Sequence, residues 1–228
     1  MDDNLDLGWC QGYMALKYHM EEALIENDLN SNDASWCPEI ALFSKKYYNE
    51  INELNHSKIY DFCFIGSMAT NYQRREWIID FAKKYFTNNS IFINTDNNPN
   101  WEKLGFFDKS NMNIGYCPKN MPNNQSKEVQ YRIVKENVDY FEKMCQSKYV
   151  LCPAGDGTWT FRFYEVLMCK SIPIVENWHH TYRTKEESKI NYKYILNKDI
   201  ETEILYDDYI NENTRIFEKY HILKKMNN

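Results

Sequence analysis

Residues Lys148 to Asn177, KYVLCPAGDGTWTFRFYEVLMCKSIPIVEN, spell strand, glycine turn, helix and strand in one run. Tyr149-Val150-Leu151-Cys152 is the short apolar run of a fully buried strand, and Pro153 ends it. Gly155 and Gly157 let the backbone turn sharply and lie close to whatever fills the turn. Thr158 or Thr160 can cap the helix that carries Phe161, Glu165, Leu167 and Met168. Ile172-Pro173-Ile174-Val175 is the next strand. A ligand at such a turn meets free backbone N–H groups and the positive end of a helix dipole, a setting that suits a phosphate. Arg162, in the first turn, adds a fixed positive charge. Glu165 follows one turn later on the same face, where a carboxylate can accept hydrogen bonds from sugar hydroxyls.

The order P-x-G-D-G-T-x-x-x-R-F-x-E-x-L-x-x-x-x-I-P-I-V, from Pro153 to Val175, resembles the C-terminal nucleotide-sugar subdomain of exostosin-like glycosyltransferases of the GT47 type. The resemblance is densest there and weaker from about Tyr60 to Leu223. It implies a GT-B architecture, an arginine near the donor diphosphate at Arg162, and an acidic residue near the donor ribose or sugar at Glu165. Family members usually place a small residue, often Gly, before the I-P-[IV] strand, where this chain has Lys170-Ser171.

Around this unit the pattern alternates. Tyr60 to Gly66 reads as a strand, Tyr72 to Phe86 as a helix and Ser90 to Asn94 as a strand. Ile114 to Cys117 is a short strand, Ser126 to about Gln146 a long helix capped by Ser126, Tyr192 to Leu196 a further strand and Asn211 to Lys225 a last helix. Strands separated by helices predict an α/β fold, a Rossmann-like parallel sheet with helices on both faces. Ligands of such sheets bind beyond the carboxyl ends of the strands, where the Gly66-Ser67 and Gly155-Asp156-Gly157 turns both fall. Residues 1–57 read instead as a short helical region, with an apolar stripe at Tyr13, Leu16, Met20 and Leu24 and a second helix from Pro38 to Leu54. Two units are thus expected, a reduced N-terminal region at 1–57 and a nucleotide-sugar-binding domain at 58–228. A GT-B enzyme works in a cleft between two Rossmann-like domains, and 57 residues are too few for the first of them. The acceptor half is expected to be reduced, supplied by a partner chain, or missing.

Composition removes several classes. The chain of 228 residues carries a formal net charge of −6, against the basic face of a general nucleic-acid binder. No stretch reaches the ~18 apolar residues of a membrane span, and the acidic start, Met1 to Asp6, lacks the basic and apolar parts of a secretory signal. The seven cysteines show no C-x-x-C and no zinc spacing. A reduced, cytoplasmic setting without disulfides follows as the expectation. The abundance of Asn, Lys, Ile and Tyr fits an AT-rich genome, such as that of a large DNA virus, whose factory in the host cytoplasm would be an equivalent compartment.

For each candidate residue a plainer reading stands beside the chemical one. Arg162 binds phosphate or pairs with Glu165 or Glu176; because an arginine opposes the dipole at a helix start, an anionic ligand would repair the mismatch. Glu165 holds sugar or ribose hydroxyls, or only pairs with Arg162. Asp156 stabilises its turn, the commonest use of Asp there, or contacts the donor or takes a catalytic role. Thr158 and Thr160 are caps that also lie within reach of a phosphate. Trp159 covers a ligand or anchors the core. Ser67, Asn71, Arg74 and Arg75 open the first helix, and Arg74 or Arg75 either touches the diphosphate or is solvated. Glu176 and Asn177 follow the I-P-I-V strand, near the donor. His179-His180 and His19 supply no clear base. No D-x-D ends a strand, and GDGTWT lacks the G-K-[ST] of a P-loop, so neither a metal nor a cofactor is implied.

The expected activity is transfer of a sugar from a nucleotide donor, a UDP-sugar, to a glycan hydroxyl. Arg162 and the N–H groups of the glycine turn would stabilise the leaving diphosphate without a metal. The rival is a non-catalytic subunit that binds a sugar nucleotide or glycan and has lost its acceptor domain.

Overall fold

The computed structural model describes residues 43, 45–68, 72–94, 113–116, 138–154, 161–176, 192–200 and 206–222. Among them are the strands β1 (Tyr60–Gly66), β2 (Ile91–Asn94), β3 (Asn113–Tyr116), β4 (Ser147–Leu151), β5 (Ile172–Val175) and β6 (Ile195–Leu196). The described helices are α1 (Lys45–Asn52), α2 (Tyr72–Tyr85), α3 (Val138–Cys145), α4 (Phe161–Met168) and α5 (Tyr206–Tyr220). The strands form one sheet in the order β3-β2-β1-β4-β5-β6, and every neighbouring pair is parallel. The four strands expected to be parallel neighbours are so. Helices pack on both faces, and the α/β, Rossmann-like reading holds.

The alternation of apolar side chains along the strands explains the two faces. On one face Cys63 and Ile65 of β1, Ile91 and Ile93 of β2 and Val150 of β4 meet Tyr48 and Ile51 of α1. The same core takes in Phe141 and Met144 of α3, Phe163 and Leu167 of α4, and Ile216 and Phe217 of α5. On the other face Phe64, Phe92, Leu151, Ile172 and Ile174 meet Ile78, Ile79, Phe81 and Ala82 of α2. Helix α5 borders both cores. Its early Tyr206, Tyr209 and Ile210 pack against the second, and its later residues against the first.

Several boundaries differ from the sequence reading: β6 covers only Ile195–Leu196 of the strand expected at Tyr192 to Leu196, the last helix ends at Tyr220 rather than Lys225, and two starts shift further. Phe43 was expected inside a helix from Pro38 to Leu54. It instead forms a parallel bridge with Ile222, its N–H donating to the His221 carbonyl at 2.8 Å, and α1 begins only at Lys45. Burial of the Phe43 ring beside Tyr164 and Phe217 outweighs helical continuity at this position. The last helix starts at Tyr206 rather than Asn211, because Asp207 and Asp208 suit the positive end of a helix dipole and Tyr209 reaches the core. The helix expected at Tyr13 to Leu24 and the start of the one expected at Ser126 lie outside the described residues.

The amino edge of the sheet is closed by a hub. The Lys58 ammonium donates to the carbonyls of Cys145 (2.6 Å) and Cys169 (3.0 Å) and to Ser171 Oγ (2.8 Å). Its three protons thus meet three acceptors, two of them carbonyls at the negative ends of α3 and α4. Burial holds its pKa down at about 8, with Cys169 and Cys145 opposing the shift. Helix α4 ends with Ser171 N–H bonding to the Val166 carbonyl and Lys170 N–H to the Leu167 carbonyl. This Schellman pair puts Lys170 at φ 52°, in the left-handed region. A glycine would adopt this backbone without strain, in keeping with the small residue, often Gly, that the resemblance leads one to expect before β5. Among the described residues no helix is long and apolar enough to cross a membrane.

Candidate functional site

A sheet ordered 3-2-1-4-5-6 reverses its direction of winding between β1 and β4, and the crevice beyond their carboxyl ends is where such folds take ligands. Gly66 closes β1, Cys152 to Ala154 follow β4, and Glu176 follows β5. Helix α4 starts in the same region and brings Arg162 in its first turn.

Arg162 reaches across to β1. A Cβ built on Gly66 would lie 2.8 Å from Nη2, 3.0 Å from Nη1 and 3.3 Å from Cζ of Arg162, inside contact distance. Only the missing side chain of Gly66 admits the guanidinium. The same cation stands 5.7 Å from the centroid of the Phe64 ring. The structure thus brings Arg162 and Gly66 together at the carboxyl end of β1.

Glu165 is 1% exposed, and its Oε2 accepts a hydrogen bond of 2.6 Å from the Tyr140 hydroxyl of α3. Sequence reasoning missed Tyr140. It is one of 18 tyrosines, on an ordinary amphipathic helix, and nothing in its spacing marks it. Arg162, Glu165 and Glu176 all lie close enough to Cys152 to act on its thiol. Burial pushes that thiol up, Arg162 opposes the shift, and the two carboxylates add to it. The Cys63 thiol of β1 is likewise pushed up to about 12 by burial, against Ser147 and Arg162. The described cysteines, Cys63, Cys145, Cys152 and Cys169, are buried free thiols.

Arg75, on α2, ties two of the loops. Its Nη1 donates to the Ser67 carbonyl, and its Nε and Nη2 donate to the Ala154 carbonyl at 3.4 and 3.3 Å. Glu176 is 7% exposed, and its Oε1 accepts the Ala154 N–H at 3.0 Å. Burial raises its pKa. The Ala154 and Glu176 N–H groups, Trp77 and Arg75 pull the other way. The Trp77 indole N–H is buried but outside hydrogen-bonding geometry.

The backbone of Arg74 belongs to α2, and its side chain lies outside the described residues. Outside them too are Gly155, Asp156, Gly157, Thr158, Trp159, Thr160, Asn71, Asn177, His179 and His180. Among the described residues no group of three or more His, Cys, Asp or Glu could hold a metal ion.

Among curated proteins, no sequence matches the chain significantly. A family model does, over residues 109–228, just over half of the chain. The matched stretch includes β3 to β6, α3 to α5 and both Arg162 and Glu165, and leaves out Gly66 and Arg75. The model describes the C-terminal domain of RXYLT1, a glycosyltransferase, and this chain belongs to that RXYLT1 C-terminal domain family.

Proposed function

We propose that this chain is the donor-binding part of an exostosin-like, GT47-type glycosyltransferase, moving a sugar from a UDP-linked donor to a glycan hydroxyl. The observation that carries the reading is the approach of Arg162 to Gly66. It puts a guanidinium at the carboxyl end of β1, beside the reversal in strand order, at the start of a helix. A diphosphate there would meet that cation together with the first N–H groups of α4.

The chemistry follows from charge. As the bond from the sugar to the diphosphate breaks, negative charge grows on the leaving oxygens. A fixed guanidinium and backbone donors stabilise that charge more in the transition state than in the ground state. We assign this role to Arg162, with Arg74, Ser67, Gly155, Asp156, Gly157, Thr158 and Thr160 as the further donor contacts expected from the sequence. Glu165 accepts a hydroxyl of the ribose or sugar. The Tyr140 hydroxyl fixes the orientation of this carboxylate. The name of the matched family makes UDP-xylose the first donor to try. The acceptor half is reduced to residues 1–57, supplied by a partner chain, or missing.

The test is calorimetry with UDP and a panel of UDP-sugars, beside an assay of donor hydrolysis and transfer. UDP binding that Arg162→Ala weakens by about 1.5–3 kcal/mol, the range of a charged contact, supports the reading. UDP affinity unchanged in that variant refutes the donor site. Binding without hydrolysis or transfer would instead identify a non-catalytic subunit.

A further inference from the structure

We propose that Arg75 and Glu176 are a positioning pair that orients the entrance to the glycine turn, and that Arg75 does not contact the donor. This rests on the donor-site reading above and adds to it which residues shape the site.

The pair holds one residue from both sides. Ala154 is the last described residue before the turn. Its N–H is taken by the Glu176 carboxylate and its carbonyl by two nitrogens of Arg75. The charges come from different elements, Arg75 from α2 and Glu176 from the end of β5. A trans peptide is planar, with its N–H opposite its carbonyl, so a fixed Ala154 carbonyl fixes the peptide that leads into the turn. The third reach of Arg75, to the Ser67 carbonyl, ties the β1 loop to the same point. One guanidinium therefore sets the loops after β1 and β4 against each other, and the carboxylate after β5 completes the frame. A planar fork can bridge two carbonyls in this way, whereas a lysine ammonium of the same charge cannot keep both geometries. With its donors turned to main-chain carbonyls, Arg75 shapes the cradle while Arg162 faces the ligand.

The frame also has a pH dependence of known sign. Facing Glu176 are the Ala154 N–H and Cys152 from the β4 end, Arg75 and Trp77 from α2, and its own N–H. The ionised carboxylate is the form that accepts the Ala154 N–H and attracts Arg75. Burial raises its pKa, so that form is lost at a less acidic pH than for an exposed glutamate. A UDP-sugar is a suitable probe because its diphosphate diester stays ionised across the range scanned, so an acid limb in its affinity belongs to the protein.

The experiment measures UDP-xylose affinity of the full chain from pH 5 to 8 for wild type, Arg75→Lys, Glu176→Gln and the double variant, with a melting curve for each. If UDP-xylose does not bind, the best-binding UDP-sugar of the panel replaces it. In the wild type, affinity should fall as the pH drops through the Glu176 transition. Glu176→Gln keeps an acceptor for the Ala154 N–H but not the charge. It should bind a few-fold more weakly at neutral pH, with a flat profile. Arg75→Lys should weaken binding about tenfold despite the kept charge. The double variant should be no worse than the weaker single one, because both act on one peptide. Wild-type affinity in Arg75→Lys, or an unchanged acid limb in Glu176→Gln, overturns the positioning pair and leaves the donor site standing. A wild-type chain that binds no UDP-sugar removes the donor site and this inference with it.

Discussion

A single methyl group on Gly66 tests the site most directly. In Gly66→Ala the new Cβ would sit 2.8 Å from Arg162 Nη2 and 3.0 Å from Nη1. Relaxed contacts between such atoms lie near ~3.5 Å or beyond, so the guanidinium must withdraw by about 0.5–1 Å. What yields is the far end of a flexible side chain rather than backbone, so the loss of stability should stay within about 1 kcal/mol. The withdrawal also weakens the contact with the Phe64 ring, itself worth roughly 0.5–1 kcal/mol. For a ligand the same shift is serious. A charged hydrogen bond contributes about 1.5–3 kcal/mol, and an ångström of misplacement removes most of it. UDP affinity should therefore fall by about tenfold to a hundredfold, as 1.4 kcal/mol is tenfold. The assay is calorimetry on Gly66→Ala, Arg162→Ala and the double variant. With Arg162 already removed, the methyl has nothing to displace, so the double variant should bind UDP as Arg162→Ala does. Full additivity of the two changes, or UDP binding in Gly66→Ala equal to wild type, would refute the claim that Gly66 serves the donor site by admitting Arg162.

Other substitutions test the frame around the site. Lys170→Gly should stabilise the chain by about 1 kcal/mol, because Lys170 holds a left-handed backbone that glycine adopts without strain; urea denaturation measures it. Tyr140→Phe removes the hydroxyl that donates to the buried Glu165 carboxylate, and should cost about 1.5–3 kcal/mol of stability by the same method. Alkaline pH should destabilise the fold through its thiols. Burial raises the Cys63 thiol to about 12, so above the ordinary thiol range, near pH 9, the unfolded chain releases this proton first and stability falls up to the folded value. At about pH 10 the cost is ~1.4 kcal/mol for each such thiol, and Cys152 adds to it with the same sign. Lys58 acts in the opposite sense between about 8 and 10.5, since the unfolded chain holds its proton more tightly there. Comparing the pH dependence of the urea midpoint in wild type and Cys63→Ala isolates the thiol, and an equally steep decline in the variant would contradict the assignment.

The sheet was legible because its strands are buried on both faces and so read as continuous apolar runs. FCFI in β1, IFI in β2, YVLC at β4 and IPIV in β5 have no other simple explanation between helices. Helix starts were less legible. Tyr206-Asp207-Asp208-Tyr209 looks like a polar loop until the dipole and the tertiary core are both counted, and Phe43 leaves its helical pattern to bridge Ile222. At the site, topology placed the Gly66-Ser67 turn and the start of α4 at the same ends of the strands, and the approach of Arg162 to Gly66 agrees with that placement. The tyrosine on Glu165 did not, because a hydrogen bond between α3 and α4 depends on which faces the two helices present. Arg75 stood out in the sequence as a cation near a strand end, yet sequence cannot tell a cation turned to ligand from one turned to main-chain carbonyls.

The cations at the ends of the strands sit in different settings. At the amino edge the Lys58 ammonium is matched donor for acceptor by two helix-end carbonyls and a serine. Such a hub is fully satisfied within the protein, so it anchors β1 to the ends of α3 and α4 and calls for no ligand. At the carboxyl ends Arg75 gives three of its N–H groups to two loop carbonyls, and in that it works with the scaffold. Arg162 sits differently. Its position opposes the dipole of its own helix, and a glycine has to be kept at the end of β1 to admit it. Folding alone would favour an apolar side chain on that first turn and a larger residue at the strand end. Both local costs become favourable once a diphosphate occupies the crevice. On this argument Arg162→Leu should raise the melting temperature or leave it unchanged while abolishing UDP binding. A melting temperature lowered by several degrees would show instead that the cation serves the fold.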